Sequence, residues 1–231
     1  RGTVSPTAGD VRLRDALLVA QLALTVVLLA GAGVLLRTVA DLRAAPLGFR
    51  AEGTAIAQLS LPWRAFETAE QQRAFADELL RRTRALPGVA DAGVTTLLPF
   101  SGNSYTTGVR TEGRDTDGVG GESVDRAIIT PGYLEAMGVP LLRGRMLADT
   151  DRAGAPLVAL VNAHIAARLW PNEDPLGKRL WLSFDDSART VVGVVGNVKH
   201  GSLEEVPKPE LYITYRQGSP VGPYLVIRTR D

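Results

Sequence analysis

The chain contains no cysteine, which excludes disulfides, thiolate metal sites and thiol catalysis and is compatible with either side of a bacterial inner membrane. Histidine is scarce: His164 and His200 are the only two and stand far apart, so surface or capping positions are expected of both rather than metal binding or general-base work. An excess of charge of either sign is also missing, with 26 Lys and Arg against 25 Asp and Glu and a net charge of +1. Affinity for a phosphate backbone needs clustered cations, so nucleic acid is excluded as a partner. No Gly-x-x-x-x-Gly-Lys-Ser/Thr pattern occurs; Leu176-Gly177-Lys178-Arg179 lacks the upstream glycine and the hydroxyl, so the chain does not hydrolyse ATP alone. Gly193, Gly196 and Gly201 follow apolar residues but open no long helix, and read as a strand ending in a turn rather than a dinucleotide fingerprint.

What is present is an uncharged run of 21 residues, Ala16 to Leu36, whose only polar side chains are Gln21 and Thr25. As a helix it would extend about 31 Å, the thickness of a bilayer's hydrocarbon core. A cleavable signal is excluded by the length of the run and by the lack of a small-x-small site at its end, so a retained membrane helix is expected. Ala16, Ala20, Ala23, Ala30, Gly31 and Gly33 would let another helix approach closely. Orientation is not fixed by charge: Arg1, Arg12 and Arg14 precede the run and Arg37, Arg43 and Arg50 follow it. The chain begins with Arg1 and stops at Asp231 within a strand-like run, as a segment of a longer protein would.

Beyond the span the pattern is α+β. Pro46-Leu47-Gly48-Phe49 is a turn, and Thr54 to Leu61 alternates with Ala55, Ala57, Leu59 and Leu61 on one face, predicting a half-buried strand. Thr68 and Gln71 form a capping box for a helix to Leu86, with Ala69, Phe75, Ala76, Leu79, Leu80, Thr83 and Leu86 as its buried stripe and Asp77–Arg81 and Glu78–Arg82 as pairs on the wet face. Val89 to Leu98 reads as the returning strand of a βαβ unit. Residues 99–121 are either a functional loop or a ragged hairpin. Strands are expected at 123–130, 157–161, 179–184, 190–195, 211–215 and 224–230, with short helices at 131–137 and after Asn162.

No catalytic constellation emerges from these residues. Asp149-Thr150-Asp151 and Asp185-Asp186 fall where turns are expected and read as turn chemistry. Ser101 and Ser104 have no base beside them locally. No cofactor and no metal ion is implied.

Several segments together resemble the periplasmic core of MacB-like, FtsX-type ABC transporter permeases, in particular the branch with duplicated permease halves. These are the stretch from Gln21 to Arg37, Pro46-Leu47-Gly48-Phe49, the stretch from Pro131 to Arg145, Trp170-Pro171 with Asp174 to Leu180, and Val191 to Val198. The resemblance covers nearly the whole chain in order. It implies a cytoplasmic juxtamembrane segment at 1–14, a transmembrane helix at 15–37, a porter-like βαβ lobe formed by 45–137 with 221–231, and a second, mostly-β lobe at 138–220. It places the large domain in the periplasm. It further implies an ABC-type ATPase subunit or domain as partner, a permease homodimer or pseudo-dimer in the lipid bilayer, room for a periplasmic adaptor, and mechanical transmission of ATP-driven motion in efflux or export. Pro46, Leu47, Gly48 and Phe49 are the candidate coupling hinge. The alternative is a signal-anchored extracytoplasmic ligand-binding module without an ATPase, for which Trp63, Tyr105, Tyr133 and Trp181 are the aromatic candidates.

Overall fold

A computed structural model describes residues 8–60, 68–112, 121–217 and 222–230. The chain divides into two compact units, 1–45 and 46–231. The first is the helix α1 (Ala8–Ala44). Its stretch Arg14–Leu42 is long and apolar enough to cross a membrane, and none of it is buried within the protein. Thr25 donates its hydroxyl to the Gln21 carbonyl at 2.8 Å, so this polar group of the apolar run is satisfied within the helix, as hydrocarbon surroundings require.

The second unit is a strand-rich α+β domain. Strand β1 (Thr54–Gln58), helix α2 (Ala69–Arg84) and strand β2 (Val89–Thr95) are the expected strand, helix and strand. The returning terminal strand β10 (Tyr224–Thr229) lies between β1 and β2, antiparallel to both. The two strands of the unit therefore run parallel but do not touch, giving a split βαβ arrangement. Thr68 caps α2, accepting from the Gln71 N–H at 3.2 Å while Gln71 accepts from the Thr68 N–H at 3.1 Å. Leu80 on α2 packs with Ala92, Val94 and Leu225.

Here the alternation rule misjudged β1. Ala55, Ile56 and Ala57 are exposed; among the described residues β1 is an edge that pairs with β10 alone, and Leu61 lies outside them. Ala69 and Leu86 of the predicted helical stripe are likewise exposed. Glu78 pairs with both Arg81 and Arg82 at 2.6 Å, whereas Asp77 turns away from Arg81. It accepts from the Tyr215 hydroxyl, and from Arg216 at 2.8 Å, fastening α2 to the 3-10 turn Tyr215–Gln217.

Six further strands close on themselves. They are β3 (Thr106–Thr111), β4 (Glu122–Ile129), β6 (Val158–Asn162), β7 (Arg179–Leu182), β8 (Asp185–Val195) and β9 (Glu210–Thr214). The pairings run β4–β3–β7–β8–β6–β9, and β9 pairs back to β4 in parallel. The circuit is a small barrel, which leaves few free edges. Residues 99–121, expected as a loop or a ragged hairpin, contain the single strand β3, which pairs with β4, the strand expected at 123–130; residues 113–120 lie outside the described set. A four-residue strand β5 (Leu141–Gly144), unexpected from the sequence, adds to β8. All four of its residues are exposed, so it carries no alternation to read.

The barrel wall is apolar on both faces. On β4, β6 and β9 the residues Val124, Ile128, Ala159, Val161, Leu211 and Ile213 point to one core cluster, shared with helix α4 (Ala163–Leu169). Their neighbours Ala127, Ile129, Val158, Leu160 and Tyr212 point to a second, shared with helix α3 (Tyr133–Met137) and with Tyr224 and Val226. A strand covered on both faces reads as a continuous apolar run, which is why 157–161 was legible. The three-stranded sheet joins the barrel through one register pair, Thr95 opposite Ile129.

Candidate coupling site

Pro46–Phe49 opens the second unit and is seated on it. Gly48 has φ +83°, and a Cβ there would stand 1.8 Å from the Asn197 carbonyl oxygen and 3.1 Å from Val198 Cα. Only glycine combines the left-handed backbone with that approach. The Lys199 N–H donates to the Leu47 carbonyl at 3.0 Å, and the Arg50 N–H to the Met137 carbonyl at 2.8 Å. Phe49 packs on the second core cluster and meets Phe100 with ring centroids 6.3 Å apart. Phe100 is anchored in turn, its N–H donating to the His200 carbonyl at 2.8 Å. Three sequence stretches that are distant in the chain, around residues 48, 137 and 197, thus converge on one clamp.

Two side chains complete it. Asn197 accepts from the His164 N–H at 2.9 Å, tying the clamp to the first turn of α4, where Asn162 caps the Ile165 N–H at 3.0 Å. Arg228 on β10 donates to the carbonyls of Ala136 at 2.8 Å and Arg50 at 2.9 Å, and to that of Glu52. One guanidinium so satisfies three backbone carbonyls from two segments, a use for which its fork of donors is suited. Arg228 was not legible as special: it is one polar position in an alternating strand.

Beneath the clamp lies a buried acid–imidazole pair. His200 Nε2 stands 3.1 Å from Glu210 Oε1, with side chains 8% and 2% exposed. Burial alone would lower the imidazole pKa; the Glu210 carboxylate outweighs it, with Asp125 and Glu205 adding, so the value is raised above the usual one. His200 is therefore interior, not at the surface or capping position that the sequence suggested, because its partner lies ten residues on, across a loop. Burial and then the Glu210 charge push the Tyr212 phenol well above its ordinary value.

Most of the remaining sequence candidates have structural partners. Asp151 accepts from both Arg145 terminal nitrogens at 2.7 and 2.8 Å and from the Ala148 N–H at 2.8 Å; the Arg145 hydrogen bonds hold its carboxyl below the usual range. Asp149 stands 3.3 Å from Arg216. Asp185 accepts from the Ser187 N–H at 2.9 Å and from Arg189 at 2.6 Å. Ser101 donates to the Leu98 carbonyl at 2.8 Å and Ser104 to Asp125 at 3.0 Å. Gly177 donates its N–H to the Val191 carbonyl at 2.9 Å, and Lys178 pairs with Glu173 at 2.6 Å. Among the described residues no group of three or more His, Asp or Glu side chains could hold a metal ion. Of the aromatic candidates, Tyr133 is core, Trp181 lies under the Arg179 guanidinium at 5.7 Å, Tyr105 is exposed, and Trp63 lies outside the described residues. A cleft of about 300 Å³ beside α4 is lined by Leu142, Arg143, Ala163, Ala166, Trp170 and Glu173 among others. Its charged members are already paired, Arg143 with Asp174 at 2.7 Å and Glu173 with Lys178.

One apolar helix thus precedes a domain made of a seated entry segment, a split βαβ sheet and an attached barrel. The chain belongs to the MacB-like periplasmic core domain family, whose model matches residues 16–231; this is the family that the ordered motifs resemble. No curated protein matches the chain. Among solved structures, the fold is similar to the extracellular domain of the noncanonic ABC-type transporter YknZ from Gram-positive bacteria, with a TM-score of 0.50 and 16% identity over 77% of this chain and 84% of that one. It is similar also to the periplasmic region of MacB from Actinobacillus actinomycetemcomitans, with a TM-score of 0.50 and 18% identity over 80% of this chain and 77% of that one.

Proposed function

We propose that the chain is the first membrane helix and extracytoplasmic domain of an ABC transporter permease, and that the domain transmits ATP-driven conformational change rather than catalysing a reaction. The observation that carries this reading is the clamp. The residues that follow α1 are locked to the domain by Gly48 against Asn197, by Leu47 with Lys199 and by Arg50 with Met137. A segment so seated passes a displacement into the barrel and the split sheet together, where a free linker would absorb it. Pro46, Leu47, Gly48 and Phe49 are then the coupling element, acting through their grip on the domain. In this reading residues 45–137 with 221–231 and residues 138–220 are the two lobes; the pairings of β3 with β7 and β4 with β9 carry hydrogen bonds between them. The ATPase is a separate subunit or domain, the permease is a dimer or pseudo-dimer in a bacterial inner membrane, and a periplasmic adaptor is an optional further partner.

The full-length chain purified in detergent is expected to bring an ABC-type ATPase with it. In that complex Gly48→Ala should retain ATP hydrolysis and lose most transport, while Gly88→Ala, at an open position, should retain both. Transport at the wild-type rate by Gly48→Ala would refute the coupling role; absence of any ATPase would refute the permease assignment. Topology is tested by Gly9→Cys and Ser202→Cys, of which only the second should react with a membrane-impermeant thiol reagent in intact cells.

A further inference from the structure

The barrel holds two arginines on its core-facing side. Arg126 lies on β4 between Val124 and Ile128, both members of the first core cluster, and Arg189 lies on β8 two residues before Val191 and opposite Leu180, which belong to the same cluster. The Arg189 side chain is 4% exposed. Its Nη2 donates to Asp185 at 2.6 Å, and among the described residues its Nε and Nη1 are buried with no partner, as is Arg126 Nε. Phe184, in the turn between β7 and β8, lays its ring 4.5 Å from the Arg126 guanidinium carbon and is 55% exposed. Burial, and then the Arg189 charge, pulls Arg126 below its ordinary pKa, so the two cations feel each other.

Buried guanidinium donors are ordinarily bonded, and an uncompensated buried charge is costly. Two forks carry two positive charges here and, among the described residues, Asp185 supplies one negative charge, which leaves three guanidinium nitrogens and one unit of charge unmatched. We propose that Arg126 and Arg189 form a binding site for a small tetrahedral oxyanion inside the barrel, entered past Phe184. Guanidinium pairs are suited to such an ion, because each presents parallel donors at the spacing of its oxygens. An aromatic ring stacked on one cation holds that fork in place without consuming its donors. The half-exposed Phe184 ring covers the Arg126 guanidinium, so the donors behind it suit a small free ion better than a peptide or a membrane surface.

The test uses the full chain in detergent, titrated with inorganic phosphate at constant ionic strength against chloride. Phosphate should raise the melting temperature saturably, and calorimetry should show one site per chain. Arg189→Met should weaken phosphate binding at least tenfold, and because it also removes the partner of Asp185 its melting temperature in chloride is the reference from which the phosphate effect is read. Asp185→Asn should strengthen the phosphate dependence, because the ion then supplies both missing charges. Should Arg189→Met fail to fold, the half-buried Arg126→Met is expected to lower phosphate affinity in the same direction. Equal responses to phosphate and chloride in the wild-type chain would mean that water alone satisfies the donors, and would overturn the proposal. Undiminished phosphate binding by both arginine variants would overturn it as well.

Discussion

Substituting Gly48 by alanine tests the clamp in quantitative terms. A φ of +83° costs an L-residue roughly 1–2 kcal/mol on its own. The new methyl would also stand 1.8 Å from the Asn197 carbonyl oxygen and 2.8 Å from its carbon, and backbone cannot rotate out of the way as a side chain can. The segment must lift, which loosens the bond between Lys199 and Leu47, a contribution of about 1 kcal/mol. It also uncovers part of Phe49, for a further loss on the order of 1 kcal/mol. The total is about 3–4 kcal/mol. Gly88 serves as the control, with φ +82° and nothing within 4 Å of an added Cβ, so Gly88→Ala carries only the conformational cost of about 1–2 kcal/mol. The difference of about 2 kcal/mol corresponds to roughly 4–8 °C in melting temperature for a domain of this size. Thermal unfolding of the full chain in detergent, followed by tryptophan fluorescence, measures it. Equal losses for the two variants would show that the approach to Asn197 bears no weight and would remove the physical basis of the coupling element.

Other expectations follow from single contacts. Thr68→Ala removes the N-cap of α2 and should cost about 1 kcal/mol, read as a lower melting temperature with unchanged cooperativity. Leu80→Ala empties the contact between α2 and the sheet at a residue 4% exposed and should cost about 2–4 kcal/mol. His200 has a pKa raised above its unfolded value near 6.5, so its pair with Glu210 stabilises fully below about pH 6.5 and is lost as pH rises through the folded value. Denaturation at a series of pH values should show the advantage of the wild type over His200→Gln shrinking toward alkaline pH; an advantage that grows with pH would refute the assignment. Asp151→Asn should weaken the chain above about pH 4 and not below, since the depressed carboxyl pKa contributes only where the group is ionised in both states.

Local pattern determined what depends on near neighbours in the chain. The length of the uncharged run set α1, because a helix cannot hide 21 uncharged, almost wholly apolar residues except in lipid or a large core. Thr68 and Gln71 set the start of α2, since a cap is satisfied within one turn. The run at 157–161 announced a strand buried on two faces. Motif order along the chain was enough to give the family. Tertiary structure decided everything that rests on distant pairing. Nothing local to Thr54–Gln58 says that it is an edge, or that β10 and not β2 lies beside it; the alternation is the same in either case. Arg228 reaches carbonyls 92, 176 and 178 residues away. His200 becomes interior because Glu210 sits across a loop from it, and Arg126 on β4 and Arg189 on β8 come to belong to one barrel because β9 returns to β4 and closes it. A charged residue on an otherwise apolar strand face looks like a solvated position until closure puts that face inside. Sequence periodicity reports which side of an element a residue occupies, and only the packing of elements reports what that side meets.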